Sequence, residues 1–261
     1  MLGTPIYSGA RFDSGGGHLH PLRFVRGLAA IAEAAGASIW EHSPVLSLEV
    51  ESGGVVVRTA NGSVKADRVV LATDSFSGTL VPELAPFIGH VESFVTATVP
   101  LPQPLAETIL PSDAAVADTR HVLDYYRKSG DGRLIFAGRE SYFRPPPDIA
   151  ALVRPRMLRV YPALADVATE YAWSGTVGIT RTRMPHFGRL GDRVLFAHGY
   201  SGQGVALACL GGKLMAEAAL GRTERFDVFA RVPAQRFPGG QFLRKPLIAG
   251  ALFAFKIIDS V

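Results

Sequence analysis

Hydrophobic and polar residues follow three textures along this chain, and each predicts its own kind of element. Two short runs, Arg68–Thr73 (RVVLAT) and Arg193–His198 (RVLFAH), are apolar almost throughout. They alternate too little for a half-exposed strand and predict strands buried on both faces, as a parallel sheet requires. A second texture predicts exposed-face strands: Val45–Glu51, Val55–Thr59 and Val64–Ala66 form a small antiparallel meander, with connections marked by Gly53-Gly54 and Asn61-Gly62. Ala37–His42 predicts a further strand before that meander. From Val91 onward, Val91–Val99, His121–Arg127, Arg133–Arg139 and Glu170–Gly175 read as strands of a separate sheet, with a turn at Ser129–Gly132.

The third texture is helical. Pro21 suits a first helical turn, Leu22, Val25, Leu28, Ala29 and Ala32 share one face, and Gly36 ends the helix. Asp148–Tyr161 predicts a helix capped by Asp148 that Pro155 breaks or kinks. A last long helix starts near Val205, carries Leu207, Leu210, Leu214, Met215 and Ala218 at helical spacing, and stops at Gly221. Between Arg193–His198 and this helix lie Gly199, Gly202 and Gly204. A strand, glycine turn and helix in that order aim free amides and a helix dipole at whatever lies over the turn, which suits a phosphate or an electron-rich carbonyl.

This order predicts an α/β fold with α+β elements, one body interrupted by another. Residues 1–90 and 178–235 form the first body, residues 91–177 an inserted antiparallel-sheet domain, and residues 236–261 a C-terminal docking segment. Leu247–Ile258 is apolar except for Lys256, but it is well short of the ~20 residues that span a bilayer. The start MLGTPIYSG lacks the basic and apolar regions of a signal peptide.

Composition narrows the function. With 261 residues, 48% of them hydrophobic, the chain can bury a substantial core. A net charge of +4 spread without dense basic runs gives no nucleic-acid footprint. The single Cys209 excludes an internal disulfide, points to a reducing, cytoplasmic setting, and falls on the apolar face of the last helix as a packed thiol. The seven histidines show no metal-site spacing, no G-x-S-x-G elbow or phosphate loop occurs, and G-x-G-x-x-G is absent. Glycine turns set against buried strands therefore suggest chemistry borrowed from a bound organic cofactor.

Five segments in order carry a resemblance: DSGGGHLHP, the strand with Val45, RVVLATDSFSG, W-S-G-x(9)-P-H-F-G from Trp173 to Gly188, and HGYSGQGV. Together they resemble the FAD-dependent amine oxidoreductases of the D-amino acid oxidase type, and within these the γ-glutamylputrescine oxidases most. The resemblance implies an incomplete FAD/NAD(P)-binding Rossmann-like domain carrying an inserted substrate domain. It also implies roles: Gly15, Gly16, Gly17 and His18 near the flavin ring, Val45 holding the adenine through its backbone, and Ala72 and Thr73 close to the cofactor. Gly199, Tyr200, Ser201, Gly202, Gln203, Gly204 and Val205 would wrap the isoalloxazine, with helix amides facing its pyrimidine carbonyl.

Four departures from the family bear on these expectations. Asp74 replaces the glycine of the family's A-T-G. Val177 stands four residues after Trp173, where relatives acting on free amino acids place a carboxylate-binding arginine, so an amine fits better than a simple α-amino acid. The family's covalent flavin cysteine has no match, implying non-covalent FAD. Tyr125, Tyr126, Arg139 and Arg144 of the inserted domain could contact a small-molecule amine. The family's G-x-G-x-x-G unit is also unmatched, so a complementing N-terminal chain is an expected partner. The expected reaction is oxidation of an amine C–N bond to an imine, as in putrescine catabolism. Two rivals stand beside it: a non-catalytic remnant or partner subunit, and a binding module for another anionic nucleotide.

Overall fold

The computed structural model describes residues 1–141 and 145–238, with Pro246 and Gly250, and only the backbone of Arg139. In chain order the elements are α1 (Pro21–Ala34), β1 (Val45–Glu51), β2 (Gly54–Thr59), β3 (Gly62–Ala66), β4 (Val69–Leu71), α2 (Ser77–Leu80) and β5 (Gly89–Thr98). There follow α3 (Gln103–Thr108), β6 (Val116–Ala117), β7 (Tyr125–Lys128), β8 (Leu134–Ser141), α4 (Ile149–Val160) and β9 (Thr169–Ile179). β10 (His186–Leu190), β11 (Val194–His198), α5 (Gly204–Ala219) and α6 (Glu224–Ala230) complete the order. The chain divides into two units, one of Met1–Arg26 with Glu92–Gly175, the other of Gly27–Val91 with the described residues of Thr176–Ile248.

The Gly27–Val91 unit holds two sheets. β1, β2 and β3 form the antiparallel meander, with Val50 opposite Val55 and Thr59 opposite Gly62 at its two turns. The second sheet has the order β10-β11-β4, and β11 runs antiparallel to β10 and parallel to β4. All five residues of β11 are buried because apolar groups cover both of its faces. Leu195 and Ala197 pack with Leu214, Met215 and Ala218 of α5 and with Phe226 of α6, while Val194 and Phe196 pack with Val55, Leu71, Val81 and Leu84. Burying a side chain of this size contributes roughly 1.5–3 kcal/mol, which explains why the run carries no polar position before its last residue. α5 ends as its sequence predicts: Gly221 sits at φ 90°, and the amides of Gly221 and Arg222 donate to the carbonyls of Ala218 and Glu217.

The other unit is built on a sheet of order β6-β7-β8-β5-β9. Phe94, Tyr126, Leu134 and Phe136 from its strands meet Val153, Met157 and Val160 from α4 and Tyr161 beyond it. Residues 1–26, expected with the first body, belong to this unit. Leu2, Ile6 and Tyr7 pack on its core, Tyr161 donates its hydroxyl to Leu2 O at 2.7 Å, and Thr4 donates to Val160 O at 2.6 Å. Asp124 is fully buried and takes Arg156 at 2.5 Å, Arg120 at 2.8 Å and Arg159 at 3.4 Å. A buried carboxylate needs such partners to offset its lost hydration.

Several expectations change. Ala37–His42 is not a strand: no described strand lies alongside to complete its ladder, and Trp40 is 70% exposed. β4 is shorter than its apolar run, pairs with β11 on one edge alone, and is buried at Leu71 but exposed at Val70, whose face is left uncovered. Residues 121–124 precede β7 without joining it, since Asp118 Oδ1 accepts the amide of Asp124 in a local turn. Asp148 caps α4 by accepting from Ala151 N at 2.8 Å, as expected, but the helix runs unbroken through Pro155. Buried Val153 and Met157 on either side of the proline hold it against the sheet, so packing outweighs one missing bond. Cys209 is exposed and turned away from the α5 core positions. The apolar face of α1 has no buried residue. Apart from Gly250, Leu247–Ile258 lies outside the described residues.

Candidate functional site

In the Gly27–Val91 unit, β4 and β11 lie side by side and parallel, so the segments leaving their carboxyl ends emerge together. These segments are Ala72–Asp74 and Gly199–Gly204, and such an end of a parallel pair is where α/β sheets bind ligands. Gly199 N donates to Asp74 Oδ1 at 2.7 Å, tying the two turns. A third segment joins them: Ser201 N donates to Gly178 O at 3.0 Å, and Ser201 Oγ bonds Gly199 O and Thr180 N at 3.1 and 3.3 Å.

The turn itself needs its glycines. Gly199, Ser201 and Gly202 all sit at positive φ, 72°, 54° and 94°. At Gly199 a Cβ would come 2.4 Å from Thr180 Cγ2, so the chain approaches as closely as a backbone can. At Gly202 a Cβ would meet nothing within 4 Å, so that side of the turn is open. α5 then begins at Gly204 after Gln203 with no side-chain cap, leaving its first amides to other acceptors. The residues expected around a cofactor here, Ala72, Thr73 and Gly199–Val205, are thus gathered in one place, with Val177 one residue from Gly178. Tyr200 contributes backbone alone: its ring is buried, its hydroxyl lies 2.8 Å from where a Gly211 Cβ would be, and burial, then Asp74, push its pKa up to about 12.

The other expected site residues sit on different elements. Val45 opens β1 opposite Thr59, at a bulge that leaves Leu46 outside the register. Gly16, Gly17 and His18 belong to the other unit, where they line a cavity of about 700 Å³ with Tyr7, Asp113 and Asp118. There Gly15 N donates to Asp13 Oδ1 at 2.9 Å, and His18 Nε2 lies 2.9 Å from Asp113 O. Tyr125 and Tyr126 do not line that cavity, and as strand neighbours they point to opposite faces of the sheet. Tyr125 reaches Ser93 Oγ at 2.5 Å, and burial raises its pKa. Tyr126 is a core residue stacked on Phe136 and edge-on to Tyr161, so it is unavailable to a substrate. Arg144 lies outside the described residues.

One pair went unseen in the sequence. β10 and β11 place His186 opposite His198, and their rings share a hydrogen bond at 2.9 Å from Nδ1 to Nε2. His198 is fully buried, and its Nδ1 has no partner among the described residues. Burial and then the neighbouring ring hold the His198 pKa down to about 3, and burial holds His186 at about 4. Both rings are therefore neutral immediately before the Gly199 turn. Twelve residues separate them in sequence, so only strand register could have revealed the contact.

Known proteins share this fold. A solved glycine oxidase from Geobacillus kaustophilus superposes with a TM-score of 0.65 at 22% identity, covering 82% of this chain and 57% of that one. An L-proline dehydrogenase from P. horikoshii gives a TM-score of 0.66 at 23% identity over 78% of this chain and 56% of that one. In sequence, the γ-glutamylputrescine oxidoreductase of Escherichia coli is 40% identical across 97% of this chain and 60% of its own length. The probable oxidoreductase OrdL of Haemophilus influenzae is 38% identical across 99% of this chain, again over 60% of its own length. The chain thus spans about 60% of the length of the curated relatives it matches. The family profile described as DAO, FAD dependent oxidoreductase, matches residues 2–218, and by that match together with the 40% identity the chain belongs to this family of FAD-dependent oxidoreductases.

Proposed function

We propose that this chain forms the flavin-ring and substrate portions of an FAD-dependent amine oxidoreductase acting on a γ-glutamylputrescine-like amine. The observation that carries the reading is the joined pair of turns at the carboxyl ends of β4 and β11, beside the uncapped start of α5. The residues present fit a flavin: the open side of Gly202 admits a flat ring, and the first α5 amides supply donors for a ring carbonyl. When bound without a covalent link, FAD supplies the acceptor for a hydride from the carbon beside the amine. The chain's own residues then orient and exclude. The α5 amino end favours electron density drawn onto a ring carbonyl placed there, by a fraction of a kcal/mol up to about 2 kcal/mol. Val177 offers no bidentate partner to a carboxylate, which favours an amine over a simple α-amino acid.

The pyrophosphate end of the cofactor needs a glycine-rich unit that this sequence lacks, so a complementing segment is part of the proposal. Two observations support it: the 60% coverage of relatives, and the uncovered apolar side chains Leu28, Ile31, Ile39, Trp40, Leu46 and Val70 in one unit. The test is to load the protein with FAD, alone and with the amino-terminal third of a relative added in trans. Anaerobic γ-glutamylputrescine should then bleach the flavin bands, and glycine should not. Absence of flavin uptake in both preparations, or bleaching by glycine alone, would overturn the reading.

A further inference from the structure

Asp74 occupies a backbone position that suits glycine better. Its φ is 39°, in the left-handed region, where a side chain ordinarily costs about 1 kcal/mol or more. What holds it there is on the same residue: Oδ1 accepts the Gly199 amide at 2.7 Å. The carboxylate also lies against Gly178, where a Cβ would sit 3.0 and 3.2 Å from its two oxygens, so the third segment of the site is cut to fit it. One carboxylate therefore touches all three strand ends that meet at the turn. Gly199, held by this bond at φ 72°, sets the direction of Ser201 and Gly202 that follow.

The bond has an electrostatic consequence. It takes the first amide of the turn, as Gly178 O and Tyr200 O take those of Ser201 and Gln203, and so places a carboxylate against a turn with few amides left for a ligand. A phosphate needs several free amides and is repelled by a carboxylate, whereas a neutral ring carbonyl needs one or two donors and carries no net charge. Building on the flavin reading above, we propose that Asp74 is a positioning residue: it locks the Gly199–Gly204 turn and restricts it to a neutral carbonyl-bearing ring, excluding phosphate.

Two variants of the full chain separate the parts of this proposal. Asp74→Asn keeps an acceptor for Gly199 and removes the charge; Asp74→Gly removes both and relieves the left-handed strain. Hydrogen exchange at Gly199 should be as slow in D74N as in the parent, within a few-fold, and at least tenfold faster in D74G. Calorimetric titration with inorganic phosphate should show binding to D74N at least tenfold tighter than to the parent. Equal exchange of Gly199 in all three proteins, or phosphate binding as tight in the parent as in D74N, overturns the proposal. Circular dichroism identifies a variant that fails to fold, and D74N with native exchange then still decides the matter. None of these readouts requires FAD, so failure of flavin uptake counts against the function proposed above and leaves this inference standing on its own results.

Discussion

Acid should loosen the β10–β11 pair in a calculable way. His198 is fully buried, and burial followed by the adjacent His186 ring lowers its folded-state pKa from 6.5 to about 3. Below pH 6.5 the unfolded chain takes up a proton that the folded strand refuses, so stability is intact above that value. It is then lost steadily as pH falls from 6.5 toward about 3. At pH 7.5 the loss is negligible, and at pH 5 it reaches about 2 kcal/mol from His198 alone, at roughly 1.36 kcal/mol per pH unit. His186, whose pKa burial also lowers, adds in the same direction. Hydrogen exchange of the Val194–His198 amides, corrected for intrinsic rates, should therefore show protection weaker by more than about 30-fold at pH 5 than at pH 7.5. His198→Leu removes one of the two buried titrating rings and should take away about half of that dependence, the rest staying with His186. Equal protection at the two pH values in the parent protein would refute the argument, as would an undiminished loss in H198L.

Three further outcomes follow from single contacts. Gly199→Ala combines positive φ with overlap onto Thr180 Cγ2 and should cost roughly 2 to 5 kcal/mol, whereas Gly202→Ala, facing open space, should cost only about 1–2 kcal/mol, both by urea denaturation. Asp124→Ala leaves Arg120 and Arg156 without their shared buried carboxylate and should destabilise its unit by about 3 to 5 kcal/mol; exchange rates across β7 and β8 would report it. Asp148→Ala removes the α4 cap and should cost about 1 kcal/mol, seen as faster exchange in the first turn of that helix.

Local pattern carried much of this fold and little of its side-chain placement. The apolar run at Val194–His198 was legible because a strand covered on both faces cannot afford polar positions, and the meander because its turn residues sit between alternating runs. Ala37–His42 misled because β-propensity says nothing about whether a neighbour exists to pair with. Tyr126 was grouped with Tyr125 although period-two alternation separates them once β7 is in place. Asp74 was visible as a departure from the family's glycine, but its bond to Gly199 spans 125 residues, and only the parallel register of β4 and β11 brings the two together. The His186–His198 contact was hidden for the same reason, since metal-site spacing rules look along the chain and not across a sheet.

In the proposed function a flavin ring rests on the joined turns of β4 and β11. Amide hydrogen exchange, residue by residue, with and without saturating FAD, tests it most directly. Slowed exchange should concentrate at Ala72–Asp74 and Gly199–Val205. Protection confined to the cavity around Gly16–His18 and Asp113–Asp118, with the β4 and β11 turns unchanged, would contradict it.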